Sequence, residues 1–274
     1  MIVQPAAQPD GKAFVIQQNG HTAFSGQLAR HFGNEQFQPL EPAELVVPLV
    51  EWHDEGWTEL DDRFLVDPET NLPYSLTRTP LAEALPTSER SPTLAEARHP
   101  FIGLLSSMHS VGLFNGRFGL LEDQSLLVKL PPEVKAPVEA VIESETARQE
   151  RLRAQLQADP STAHLADEAL IWRTYRALEF FDIFSLYIQC EHPSRQQETQ
   201  IPHVPVDDDP EHDVTITVTP LGENRFRLAP YPFDDDPFEP ATPGRYLAPQ
   251  PEGTDFAELW NATEPAEQRV RLEA

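Results

Sequence analysis

A mainly α-helical body, with short N-terminal strands and a small β-rich C-terminal section, is the fold this sequence predicts. Three patterns carry the prediction. Long segments between residues 21 and 190 repeat apolar side chains at helical spacing. Two-residue alternation takes over only after Pro193, most clearly in VTITVT at 214–219. The chain's 28 prolines, about twice the usual share of roughly 5%, separate the periodic stretches from the connections. The spacing therefore predicts a helical domain over 1–193 and a β-rich section over 194–274 packed on the same body.

The elements follow in order. Ile2-Val3 and Ala13–Ile16 read as short strands around a Gln-Pro-Asp-Gly turn. HTAFSGQLARHF, opened by His21, reads as a helix stopped by Gly33. A second helix is expected from about Pro42 to Trp57, kinked at Pro48. Residues 61–100 are rich in Pro, Thr and Ser and show little periodicity, so they read as a long insertion: a lid, a binding loop or short helices. PFIGLLSSMHSVGLF at 100–114 is an apolar helix, 131–158 a long charged one, and 166–190 the most apolar of all. VTITVT, Pro-Leu-Gly-Glu-Asn and RFRLA at 225–229 together read as a hairpin, and a last strand is expected near Gln268–Leu272.

Composition excludes several function classes. Lys and Arg number 20 and Asp and Glu 45, giving a net charge of -25. A field of that sign repels a phosphate backbone and an anionic membrane surface. Cys190 is the only cysteine, so neither an internal disulfide nor a cysteine zinc finger is available. The start MIVQPAAQPDGK lacks a signal-peptide pattern, and no apolar run reaches the roughly 18 residues that cross a bilayer. The expectation is a soluble, cytoplasmic protein of bacterial type acting on a small molecule. Gly-x-Ser-x-Gly, GxGxxG and Walker patterns are absent.

The chemistry lies in polar residues on apolar helix faces. His21 shares a face with Phe24, Leu28 and Phe32; His53 with Val46, Leu49, Val50 and Trp57, with Asp54 at the border; His109 with Ile102, Leu105 and Leu113; and Asp182 with Ile171, Tyr175, Leu178 and Leu186. Alone, each histidine reads as a core residue bonded to a carbonyl, and Asp182 as an ion-pair partner. Together they place one ionisable group on the core-facing stripe of four helices. Buried carboxylates need a partner, and a divalent metal shared by His21, His53, Asp54, Asp182 and His109 provides one. His31, His99, His164, His192, His203 and His212 fall at rims, caps or polar segments, and the two Asp-Asp-Asp-Pro runs read as turns.

The order His21, His53-Asp54, Asp182 resembles the HD-domain superfamily, in which a histidine, a His-Asp pair and a later aspartate bind divalent metal in a helical bundle. That resemblance implies an HD-domain-like bundle here, with His109 where many members carry extra histidine ligands. More narrowly, GHTAFSGQLARHFG, VEWHDEGWTELD, GLLSSMHSVGLF, FFDIFSLY and APYPF are similar to an uncharacterised bacterial family, domain-of-unknown-function family 3891. This second resemblance spans nearly the whole chain and implies architecture rather than a settled activity. The HD resemblance implies a metal-dependent phosphohydrolase of a small phosphorylated molecule, using Mn, Fe, Mg or Zn. Asp61 or Glu55 would be its general base, and His109 a supporting donor, a substrate ligand or a ligand of a second ion. An HD-type iron oxygenase, or a non-catalytic metal- or ligand-binding regulatory domain, are the alternatives.

Overall fold

Helix boundaries in the computed structural model, which describes residues 1–8, 11–121, 130 and 132–274, follow local chemistry. Helix α1 (Gln18–Arg30) begins where the Asp61 carboxylate accepts from the Gln18 amide at 2.6 Å, a negative charge at the positive end of the helix. Helix α2 (Ala43–Trp52) stops at Trp52, so the single helix expected to Trp57 is shorter. A 3-10 turn (Glu55–Trp57) and the short α3 (Thr58–Asp62) follow it. The 61–100 stretch folds into a small hairpin, β3 (Val66–Asp67) and β4 (Leu72–Pro73), then helices α4 (Leu81–Ala84) and α5 (Thr87–Arg98).

Helix α6 (Pro100–Asn115) has proline in its first turn and His99 as N-cap, accepting from the Phe101 amide at 3.1 Å. It ends at Gly116, which takes the left-handed conformation (φ 70°). Helix α7 (Pro132–Ala158) is the charged helix, and α8 (Glu168–Gln189) is capped by Asp167, which accepts from the Leu170 amide at 3.1 Å. The last helix is α9 (Phe256–Ala262). Residues 9 and 10 of the expected N-terminal turn and residue 131 of the charged helix lie outside the described residues. Among the described residues, no helix is long and apolar enough to cross a membrane.

Two four-stranded sheets flank the helices. The first orders β1 (Ile2–Gln4), β2 (Ala13–Ile16), β8 (Ala241–Leu247) and β9 (Ala266–Arg269), all antiparallel. The second orders β10 (Arg271–Glu273), β7 (Arg225–Ala229), β6 (Val214–Gly222) and β5 (Thr199–Val204), with β10 parallel to β7. Only Val270 separates β9 from β10, so the chain steps from one sheet to the other across one residue. The largest apolar core joins Phe24 and Leu28 of α1, Leu104 of α6 and Phe181 of α8 to Val218 and Phe226 of the second sheet. Each such side chain contributes about 1.5–3 kcal/mol relative to exposure.

These sheets correct the fold expected from the sequence. The chain is not a mainly α, HD-domain-like bundle but a mixed α and β fold with sheets of four, four and two strands among the described residues. The reason lies in strands that local rules demote. Pro243 and Gly244 interrupt β8, yet β8 has β2 and β9 on its two sides. Gly244 is required there, because any side chain would meet the Phe14 ring and the Val15 carbonyl at 2.6 Å. The edge strand β9 (AEQR) carries no apolar alternation at all.

Candidate metal centre

Four helical segments deliver the five side chains expected at a metal. His21 stands in the first turn of α1, just after the Asp61 cap. His53 follows the last residue of α2, and Asp54 leaves helical geometry (φ -109°, ψ 19°). That break lets two consecutive residues address one point, which an unbroken helix would have turned about 100° apart. His109 lies mid-way along α6 and Asp182 along α8.

The side chains meet. The His21 and His53 rings are 5.3 Å apart and those of His53 and His109 5.0 Å. Asp182 Oδ1 lies 3.2 Å from His21 Nε2 and 3.6 Å from His53 Nε2, and Asp54 Oδ2 lies 3.8 Å from His53 Nε2. Ligand atoms of His21, His53 and Asp54, and of His53, His109 and Asp182, fall within 4.8 Å of one another, with His53 common to both sets. All five residues are buried, Asp54 least so at 8% exposure.

The outer face of each imidazole decides what the inner face does. His21 Nδ1 donates to Gln189 Oε1 (2.8 Å), His53 Nδ1 to the Val50 carbonyl (2.7 Å) and His109 Nδ1 to Glu179 Oε1 (2.8 Å). With each Nδ1 so held, the Nε2 atoms of His21 and His53 face Asp182, as metal-ligating histidines are usually fixed. Two lone-pair donors facing a carboxylate repel unless a cation or proton lies between them. His53 Nε2 is buried with no hydrogen-bond partner among the described residues. The donor set of imidazoles and carboxylates fits a divalent transition metal or magnesium.

The field agrees. Burial pulls the His53 pKa down, but Asp54 and Asp182 overcome it and hold it at about 8. Burial dominates at His109, which falls to about 4 despite Asp182. At Asp182, burial is outweighed by Arg117 and the imidazoles, which keep the carboxyl well below the usual carboxylate range.

Several residues at the centre were not singled out from the sequence. The Arg117 guanidinium contacts Glu179 Oε2 and donates to Asp182 Oδ2 at 2.8 Å, tying the carboxylate behind His109 to the one shared by His21 and His53. Tyr175, Glu179, Asp182 and Gln189 recur at helical spacing along α8. That polar stripe was legible in FFDIFSLY and its flanks. Arg117 had a weaker signal, a lone cation in the glycine-flanked Asn-Gly-Arg-Phe-Gly after an apolar helix.

The two other acids lie elsewhere. Both oxygens of Asp61 are engaged, one by the Met1 ammonium at 2.5 Å and one by the Gln18 amide. Burial raises its pKa against the pull of the ammonium. Glu55 pairs with Arg98 near the surface. His31 joins Asp234 and Asp235 in an exposed group. Arg173 and Arg176, on the same helix as Asp182, pair with Asp208 and Asp213.

No curated protein and no solved structure matches the chain. A family described as protein of unknown function, DUF3891, matches residues 1–249. Spanning most of the sequence and every residue of the buried centre, that match makes the chain a member of the DUF3891 family.

Proposed function

We propose that the chain binds a divalent metal ion through His21, His53, His109, Asp182 and Asp54, and uses it to hydrolyse a small phosphorylated molecule. The observation that carries the reading is the orientation of the imidazoles. Each Nδ1 is bound from outside by Gln189, Val50 or Glu179, and the Nε2 atoms of His21 and His53 face the Asp182 carboxylate. Charge supports it: around the imidazoles the carboxyl groups of Asp54, Glu179 and Asp182 outnumber the one guanidinium of Arg117, a balance that favours a cation.

A bound ion would acidify a water and polarise a phosphoryl oxygen. The chain's own residues supply the rest. Gln189, the Val50 carbonyl and Glu179 fix the tautomers, and Arg117 orients Asp182. Asp54, the most exposed of the five, is the side chain best placed to take a proton from incoming water. Asp61 is a positioning residue in this reading, because its oxygens cap α1 and hold the Met1 ammonium. The net charge of -25 favours a small ester over a polyanion.

Burial of the whole centre favours a second reading, a non-catalytic metal-binding domain. The two separate on one experiment: metal-stripped protein is reloaded with Mn, Fe, Mg or Zn and assayed on a panel of small phosphate esters. Hydrolysis is expected to return with metal and to be absent in His53→Ala. A loaded, stoichiometric protein inert across the panel leaves the second reading.

A further inference from the structure

Arg117 and Tyr175 lie beside the ligand cluster with donors to spare. The Arg117 side chain is 8% exposed. A guanidinium carries five N–H groups in a planar fork, and among the described residues this one contacts only Glu179 and Asp182. Tyr175 is fully buried, and its hydroxyl has no hydrogen-bond partner among the described residues. Native structures rarely leave a buried hydroxyl unpaired without a functional cause.

The two groups share one place. Tyr175 sits one turn before Glu179 and two before Asp182, on the same stripe of α8. Its hydroxyl fills a notch at Gly112, one turn beyond His109 on α6, where any side chain would collide with it. Arg117 lies against the same notch, its Cα 3.5 Å from the position of a Gly112 Cβ. The backbone there is strained: Arg117 and Phe118 both have φ of 55°, between Gly116 at 70° and Gly119 at 90°. Phe118 packs edge-on at 5.5 Å against both Tyr175 and Trp172 and is itself 37% exposed, so this strap runs from the surface to the centre.

We propose that Arg117 and Tyr175 form the oxyanion subsite of the metal centre, their N–H and O–H groups donating to the non-bridging oxygens of a phosphate monoester. The assignment rests on the hydrolase reading above. A guanidinium with N–H groups beyond those turned to Glu179 and Asp182, beside a hydroxyl with no acceptor among the described residues, suits an anion. Tyr175 and Arg117 are thereby substrate-binding residues, and the strained strap presents them.

Tyr175→Phe tests this cleanly, because it removes one oxygen that has no hydrogen-bond partner among the described residues. The probe is inorganic phosphate, titrated calorimetrically into the metal-loaded full chain. The variant is expected to keep its metal content, to melt no lower than wild type, and to bind phosphate roughly tenfold more weakly. Arg117→Lys, which keeps the charge and loses the fork, is expected to weaken phosphate binding as well. Equal phosphate affinity in Tyr175→Phe and wild type overturns the subsite, as does a wild type that takes no phosphate. A variant that loses metal or melts lower gives the hydroxyl a structural role and also overturns it. Tyr175-dependent phosphate binding without turnover of any ester supports the subsite while removing the hydrolase reading.

Discussion

Among the described residues three sets bring histidine and carboxylate atoms within 4.8 Å of one another, two of them sharing His53 in the buried centre and one at the surface around His31. In the surface group, His31 Nδ1 is bound directly by Asp234 at 2.8 Å, with Asp235 at 3.7 Å and the acids 56% and 70% exposed. In the buried group, every imidazole Nδ1 is held by an outer acceptor, and the Nε2 atoms of His21 and His53 face Asp182. At the surface, water solvates the acids and the ion pair is worth little, about 0–1 kcal/mol. In the interior the same chemistry has no water to fall back on, so it must be satisfied by design. Proximity alone thus does not make a metal site; orientation of the unused lone pairs does.

The largest expected contrast comes from removing one acid from each group. Asp182→Ala strips partners from Arg117, His21 and His53 together and should cost about 3–5 kcal/mol of stability, read from denaturant unfolding. Asp234→Ala should change stability by no more than about 0.5 kcal/mol. Comparable losses would erase the distinction. Next in size is chelation: stripping metal from the wild type should lower its unfolding free energy by about 2.7 kcal/mol where free metal had stood at a hundred times its Kd. The same treatment should leave His53→Ala unmoved and His31→Ala as sensitive as wild type. Thermal melts with and without chelator read this directly.

A smaller effect is expected at Glu179→Gln. The amide still accepts from His109 Nδ1, but the charge that faces Arg117 is gone, and metal affinity should fall roughly 10–100-fold. Competition with a metal-sensitive dye measures it. The smallest effect is spectroscopic. In metal-free protein the His53 ring should titrate near pH 8 and His109 near pH 4, while exposed His212 shifts upward because Asp207 accepts its hydrogen bond. The stability signs are opposite. The raised His53 stabilises the fold fully below its unfolded pKa of 6.5 and loses that as pH rises through about 8. The lowered His109 destabilises the fold as pH falls from 6.5 toward about 4, since the unfolded chain takes the proton first. Ring-proton NMR titration distinguishes the three.

How much of this was legible in the sequence depended on range. Helical spacing put His21, His53, His109 and Asp182 on apolar faces because each face is local, repeating within a few turns. The end of α1 was readable to within a few residues, Gly33 being the expected stop and Arg30 the last helical residue. The strands at Ile2-Val3 and Ala13–Ile16 and the hairpin of β6 and β7 were legible too, but the closing of the first sheet was not: β8 carries Pro243 and Gly244 and exists because β2, more than two hundred residues earlier, pairs with it. Long-range pairing leaves no periodic trace in strands this short and polar. Arg117 stayed hidden because its role depends on a left-handed backbone run and on two acids from another helix. Asp61, expected with Glu55 as a candidate general base, has both oxygens engaged in the fold, one at the start of α1 and one at the Met1 ammonium.

The central claim is that the buried histidines and acids hold a cation, and metal content measures it most directly. Wild type and Asp182→Asn are each equilibrated with manganese, iron, magnesium and zinc, desalted, and assayed for bound metal per chain. The account predicts a stoichiometric ion in the wild type for at least one of these metals and none retained by the variant. A wild type that emerges empty from every equilibration, or a variant that retains the ion equally well, contradicts it.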